Sequence, residues 1–331
     1  MSKTLAALGA VALIAAGSTT IEAADKTNVS LITGPFGTGS YVLGNAVEQL
    51  ANKHSKTLQV SSSETPGLVY NARKMNLEPD IKKSTFMAFT TGIDYLATTG
   101  SKPFKKKLPG VKLIANYNLG SVWLATFDPS IKSANDLVGK RVALGRPPQI
   151  LWTIEPMHII ENGWGLKGKI KIQRLGTKKA AQALLDGNVD AAIIGGYADP
   201  VTGTFKPSPQ TVELLASGKT LYHIPWGKGS VQKVIDKGIT MSHLTVPAGA
   251  VAGLEKPLEG FFDAIAWVAY PEFDDKLAYE VTKMIIERVG EFKEYHALGK
   301  LMSLKSLSYG WSADRIHPGA LKAYREAGLI K

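Results

Sequence analysis

The stretch Leu31-Ile-Thr-Gly-Pro-Phe-Gly-Thr-Gly-Ser-Tyr41 decides how this chain is read. A short apolar run enters three glycines and a hydroxyl pair, and an amphipathic pattern follows at once. Val42, Leu43, Ala46, Val47, Leu50 and Ala51 recur at helical intervals, which predicts a helix of about three turns. Gly34, Gly37 and Gly39 permit backbone angles and close approaches that a Cβ would block. A strand, a glycine loop and a helix start together aim free N–H groups and a positive dipole end at one point. Such a turn is a cradle for an anion, although a lone glycine-rich turn also occurs with no ligand at all.

Two nucleotide motifs fail here. Gly34 and Gly39 have the outer spacing of a P-loop, but Ser40-Tyr41 stand where Lys-Ser/Thr would reach the phosphates. The dinucleotide fingerprint fails because Val42 occupies the place of its third glycine.

Working outward, Lys3, the apolar run Leu5 to Ala16 and the small residues up to Ala23-Ala24 have the order of a secretory signal. The run is too short to span a bilayer. Residues 1–24 are therefore expected to be removed, and Asp25 to Asn28 read as a polar linker. The chain has no cysteine, which excludes disulfides and a thioether lipid anchor. No later segment offers about 20 uninterrupted apolar residues. The expectation is a soluble, monomeric protein of a bacterial periplasm.

The net charge of +11 is unchanged when Lys3 and Glu22 leave with the signal. Basic residues are scattered, apart from Lys105-Lys106-Lys107 and Lys178-Lys179, and aromatics do not interleave with them. Both runs read as solvated faces, and the pattern argues against nucleic acid. The 331 residues exceed one ordinary core, so two domains are expected.

Leu58 to Ser63 alternates like a strand, Thr65-Pro66-Gly67 breaks it, and Leu68 to Met75 resumes a helical pattern containing Asn71. Thr85 to Phe89 is an apolar strand that ends in Thr90-Thr91-Gly92 before a short helix. Three times over, a strand ends in Gly, Ser or Thr and a helix begins, which implies a parallel sheet with covering helices. Ligands of such sheets sit beyond the carboxyl ends of the strands, so loops 34–41, 63–67 and 90–92 should converge. Val111 to Tyr117 and Val122 to Phe127 read as two further strands.

A second unit opens at Ser133 and continues through the strand Arg141 to Gly145, then Arg146-Pro147-Pro148-Gln149 and a helix from about Leu151 to Asn162. Lys171 to Leu175 reads as a strand, Lys178 to Asp186 as a helix, and Ala191 to Ile194 as a buried strand ending in the turn Gly195-Gly196-Tyr197-Ala198-Asp199-Pro200. Thr202 to Gln210 reads as an exposed loop and Thr220 to Pro225 as a strand. The tail supplies strand Ala264 to Ala269, helix Asp275 to Gly290 and a last amphipathic helix from Leu321 to Ala327.

In this order the segments resemble the TAXI family, the extracytoplasmic solute receptors of TRAP transporters. The resemblance rests on Gly37 to Tyr41, Asp136 to Val142, Ala181 to Ala191, Gly195-Gly196, Val246 to Gly249, Asp275 to Lys283, and most diagnostically His317 to Tyr324. It implies a type II periplasmic binding protein, an α/β fold in which two hinged lobes close on a ligand in the cleft between them. The lobes would comprise residues 25–127 with 246–331, and residues 128–245. Such receptors deliver small solutes, glutamate and 2-oxoglutarate among them, to the membrane subunits of a permease. Arg146-Pro147-Pro148-Gln149 and Thr90-Thr91-Gly92 depart from the family pattern, so its usual ligands do not transfer directly.

Within such a cleft, Gly37, Thr38, Gly39, Ser40 and Tyr41 would offer amides and hydroxyls to an organic anion or amino acid. Thr65, Asn71, Thr90 and Thr91 would add neutral hydrogen bonds. Arg146, with Gln149 beside it, could fork onto a carboxylate or simply pack against its prolines. Trp152 and Tyr197 could line an apolar part of the ligand or belong to the core. Asp199 could take an ammonium or cap the turn before Pro200.

An enzyme is not expected. The six histidines show no metal-ligand spacing, there is no G-x-S-x-G elbow, and Ser230 to Lys233 matches S-x-x-K without companion motifs. No metal or cofactor is expected either. A receptor that docks on a membrane sensor kinase, and a periplasmic enzyme using the same cleft, remain the alternatives.

Overall fold

The computed structural model describes residues 26–331 other than 35, 37, 148 and 200, so the expected signal at 1–24 lies outside the described residues. The chain opens as expected. β1 (Thr27–Ile32) leads to α1 (Gly39–His54), β2 (Leu58–Ser63) to α2 (Leu68–Leu77), and β3 (Thr85–Thr90) directly to α3 (Thr91–Thr99). β1 lies between β2 and β3, parallel to both, so the three strand ends and the helix starts that follow them share one edge.

β4 (Lys112–Thr126) is one 15-residue strand, not two. Asn118 to Ser121 interrupt the apolar pattern with polar residues and Gly120, yet they are buried and paired, Asn118 with β11, Ser121 with β7, and Leu119 and Gly120 with both. After it come β5 (Arg141–Leu144), the single α-helical turn α4 (Glu155–His158) between π-helical Ile150–Ile154 and Ile159–Gly163, β6 (Lys171–Arg174) and α5 (Thr177–Leu185).

β7 (Ala191–Asp199) runs straight through the expected turn. Its two glycines are there for proximity: a Cβ on Gly195 would strike Ser121 O of β4, and one on Gly196 would strike Lys206 O. Lys206 belongs to β8 (Thr204–Pro207), and α6 (Pro209–Leu215) follows, where a loop was expected. Pro207 ends that strand and Pro209 starts the helix, positions that tolerate a missing N–H, so the prolines punctuate elements there. Beyond β9 (Tyr222–Ile224), α7 (Lys228–Ile235) and β10 (Ser242–Val246) occupy a stretch to which the sequence reading assigns no element. β11 (Leu258–Ala269), α8 (Asp275–Arg288), α9 (Phe292–Tyr295) and α10 (Pro318–Glu326) complete the chain.

The strands form one mixed sheet in the order β2-β1-β3-β11-β4-β7-β5-β6, with β10, β8 and β9 pairing onto β11, β7 and β4. Two separate hydrophobic cores cover it. The first gathers Leu31, Phe86, Phe89, Trp267, Ile285 and Tyr324, and the second Trp123, Val142, Ile159, Ile193, Trp226 and Phe261. The long antiparallel pair β4 and β11 serves both. The cores change over between Tyr117 and Leu119 on one strand, and between Ala264 and Ala266 on the other. The limits expected from sequence, 127/128 and 245/246, fall where side chains still build the second core, Trp123 to Ala125 before the first and Val246 to Phe262 around the second. The crossing falls at Asn118 on β4 and beside Asp263 on β11, polar positions in otherwise apolar strands.

Candidate ligand-binding cleft

Where the cores meet, a cavity of about 710 Å³ opens. The first core contributes Gly34, Thr38 and Ser40 at the start of α1, Pro66 to Tyr70 at the start of α2, and Thr90 and Ile93 at the start of α3. The second contributes Arg146, the segment Leu175 to Lys179 at the start of α5, and Tyr197, and the turn Gln149 to Trp152 packs Ile150 on the first core and Leu151 on the second. Asp263 and Ile265 of β11 also line it.

Four helices thus begin at one cavity, and each brings N–H groups that no intrahelical carbonyl satisfies. They are not equivalent. At α1, Thr38 caps through its hydroxyl, which accepts from Tyr41 N at 3.3 Å. At α3, Thr90 accepts from Ile93 N, and the Asp263 carboxylate accepts from Gly92 N at 3.0 Å and from the Thr91 hydroxyl. The protein's own carboxylate therefore fills that helix start. α2 and α5 differ: their N-caps are Gly67 (φ 137°) and Gly176 (φ 90°), angles that suit glycine, and neither carries a side-chain cap. One stands on each side of the cavity.

The second-core side is also basic. The stem of Arg146 lies over Gly176, close enough that an added Cβ there would sit 3.2 Å from Nε. Lys178 and Lys179 occupy the first turn of α5, and all three cations are exposed. Between the two sides, Ile93, Ile150, Leu151, Trp152 and Ile265 supply apolar surface. Ser40 pairs with the Tyr117 hydroxyl at 2.7 Å, and burial pushes Tyr117 and Tyr197 upward, so both remain neutral donors.

Of the residues singled out from sequence, Thr38, Ser40, Thr90, Arg146, Gln149, Trp152 and Tyr197 line the cavity. Gly37 lies outside the described residues. Gly39 and Tyr41 start α1 without lining the cavity, and the Tyr41 ring packs on Phe36 at 5.1 Å. Thr65 donates to Thr33 O at 2.9 Å, and Asn71 donates to Thr33 O at 2.6 Å and Ala88 O at 3.1 Å. Both hold strand ends in place, because a polar side chain buried beside free carbonyls is drawn to them. Thr91 serves Asp263. Asp199 accepts from Val201 N and the Thr202 hydroxyl, closing the turn after β7. Asn71→Ala removes the bonds to Thr33 O, which keeps Thr65, and to Ala88 O, and is expected to cost about 1–3 kcal/mol, read as a lower urea midpoint at unchanged slope.

Sequence reasoning passed over Leu68 to Tyr70, Thr177 to Lys179, and the buried acids Glu155 and Asp263. Gly67 and Gly176 directly ahead of helical patterns were the available signal for the first two, and an acid inside the apolar run Phe261 to Ala269 was the signal for Asp263. Burial, then the charge of Asp263, holds Glu155 well above the carboxylate range, and burial lifts Asp263 to about 6 against its hydrogen bonds.

Residues 31–328 match the model that describes the NMT1-like family. The chain belongs to the NMT1-like family. Among solved structures, this NMT1-like protein is similar to a TctC solute binding protein from Polaromonas, at 16% identity and TM-score 0.51, covering 91% of this chain and 96% of that one. It also matches MatC from Rhodopseudomonas palustris with bound malate, at 12% identity and TM-score 0.47, over 92% and 96% of the two chains. A third match is the aliphatic sulphonate binding protein SsuA from Escherichia coli, at 11% identity and TM-score 0.44, over 92% and 94%. The fold of this NMT1-like protein is that of the periplasmic solute-binding proteins.

Proposed function

We propose that this protein is an extracytoplasmic receptor that captures a small organic dianion, a short dicarboxylate, between its two lobes. The observation that carries this reading is the pair of glycine-capped helix starts, α2 and α5, on opposite sides of one cavity, the second backed by Arg146, Lys178 and Lys179. An anion at a helix N-terminus gains about 0.3–1 kcal/mol, up to about 2 when partly buried, and a guanidinium adds a charge-assisted, directional bond. The apolar surface between them suits a short carbon chain.

The lobes divide within β4 and β11, where the cores change over, and those two strands form the hinge. The motif resemblance from Gly37 to Tyr324 supports the finer assignment to the TAXI type, with delivery to a TRAP permease in the membrane. The apolar run Leu5 to Ala16 supports export to the periplasm, and among the described residues no helix is long and apolar enough to cross a membrane. The reading is one of capture: most of the cavity's polar groups are helix amides, hydroxyls and cations, which suit an anion, and its one carboxylate among the described residues, Asp263, is engaged by Thr91 and Gly92 N.

Thermal melts against linear mono- and dicarboxylates of graded length test it. A dicarboxylate at 100 times its Kd should stabilise the fold by about 2.7 kcal/mol. Equal shifts from mono- and dicarboxylates, or none from any, would contradict it.

A further inference from the structure

Glu155 and Asp263 are fully buried acids at the point where the two cores join. Glu155 lies within a segment that feeds both cores: Ile150 packs in the first, and Leu151, Ile159 and Ile160 in the second. Asp263 sits on β11 between Phe262 and Ala264 of the second core, while its Oδ1 is tied to Thr91 and Gly92 N of first-core helix α3. A Cβ placed on Gly92 would lie 2.8 Å from Glu155 Oε1 and 3.4 Å from Asp263 Oδ2, so both oxygens face one small space.

Among the described residues, neither Glu155 oxygen nor Asp263 Oδ2 has a hydrogen-bond partner. Among the same described residues, no cation forms an ion pair with either acid. The titratable groups on the surrounding elements are committed elsewhere or stand apart. Asp94 on α3 pairs with Arg315 at 3.0 Å, Tyr117 on β4 bonds Ser40, and Tyr197 on β7 is neutral. His158 reaches Asn162 along its own helical segment, Glu161 is partly exposed, and Arg146, Lys178 and Lys179 are exposed at the cavity. A carboxylate desolvated without a counter-charge takes a proton instead.

We propose that Glu155 and Asp263 form a proton-binding site coupled to closure of the cleft: bringing the cores together around the ligand buries the pair and takes up a proton, and losing that proton drives the cores apart. The sign follows from linkage. Both acids are held above their ordinary range, so closure is unopposed in acid and weakens as pH rises from the ordinary carboxyl range through about 6 and beyond. One half of the test rests on the solute-capture reading, and the other does not.

In the first half, malate is titrated calorimetrically from about pH 5 to about pH 8, in buffers of different ionisation heat. In the wild type, Kd should rise by up to about tenfold per pH unit, with proton uptake on binding. Glu155→Gln, which mimics one protonated acid and leaves Asp263 to titrate, should show less of both, and should bind more tightly than wild type at the upper pH. Equal slopes and equal uptake in both proteins would overturn the proposal. In the second half, small-angle scattering follows the radius of gyration of the ligand-free protein over the same range for wild type, Glu155→Gln and Asp263→Asn. Wild type should expand toward the upper pH and Glu155→Gln should expand less, and a wild-type radius independent of pH would overturn the proposal. If malate binds at no pH, the scattering alone decides for or against the proton site. Should Glu155→Gln not fold, Asp263→Asn, which keeps an acceptor for Gly92 N, takes its place in both halves.

Discussion

Reversing the charge of the second-core side, with Arg146→Glu and Lys178→Glu together, is expected to abolish dicarboxylate capture. Each position stands to lose a charge-assisted bond of about 1.5–3 kcal/mol, and each new carboxylate repels the ligand besides. The pair should therefore weaken binding by about 100-fold at least, and by as much as about 10,000-fold. Stability should hold, since both side chains are exposed and the change stays within about 0.5 kcal/mol per site. Arg146→Ala alone should cost about tenfold or more, because Lys178, Lys179 and the α5 amides remain. Calorimetric titration at low and high salt reads all of this, and the wild-type affinity should fall with salt as the variant's residual affinity does not. Unchanged affinity in the double variant would move the anion away from α5.

How much of this was legible in the sequence follows from which residues carry local signals. The strand-loop-helix units at Leu31 to Tyr41, Leu58 to Leu68 and Thr85 to Tyr95 announce themselves by period and punctuation, and the structure forms each of them. Long-range proximity leaves no such mark. Gly195-Gly196 and Gly120-Ser121 look like turns because glycine is common in turns, but they sit in strands where neighbouring backbone or side chains come too close for a Cβ. The site divides the same way. Thr38, Thr90 and Arg146 were recognisable by residue type beside a glycine or a strand end. Lys178-Lys179 read as a solvated pair, since nothing local reveals that the helix they open points into a cleft. Asn71 and Thr91 have the chemistry of ligand donors, and the fold spends it on Thr33 O and Asp263 instead.

Gly196→Val should be the most damaging single substitution in the sheet. The added side chain lands on Lys206 O, in the strand whose Pro207 and Lys206 pair with Gly196 and Tyr197. Either β8 detaches or β7 shifts against β4, and β7 carries Tyr197 into the cavity. Backbone cannot swing aside as a flexible side chain can, so the cost should exceed the usual overpacking penalty of about 1–3 kcal/mol. Gly229→Ala supplies the control: no atom lies within 4 Å of its added Cβ, and α7 should accept it with a change near zero. Urea denaturation compares the two. A Gly196→Val protein as stable as wild type would mean that the β7–β8 contact is looser than described.

The central claim is that an anionic group of the ligand sits at each of two facing helix starts. A crystal structure of the protein grown with the dicarboxylate that most stabilises it tests this directly. One carboxylate should lie within hydrogen-bonding reach of the Leu68 to Tyr70 amides, and the other within reach of the Thr177 to Lys179 amides and the Arg146 guanidinium. A ligand seated with both carboxylates on one lobe, or outside the cavity, would contradict the account.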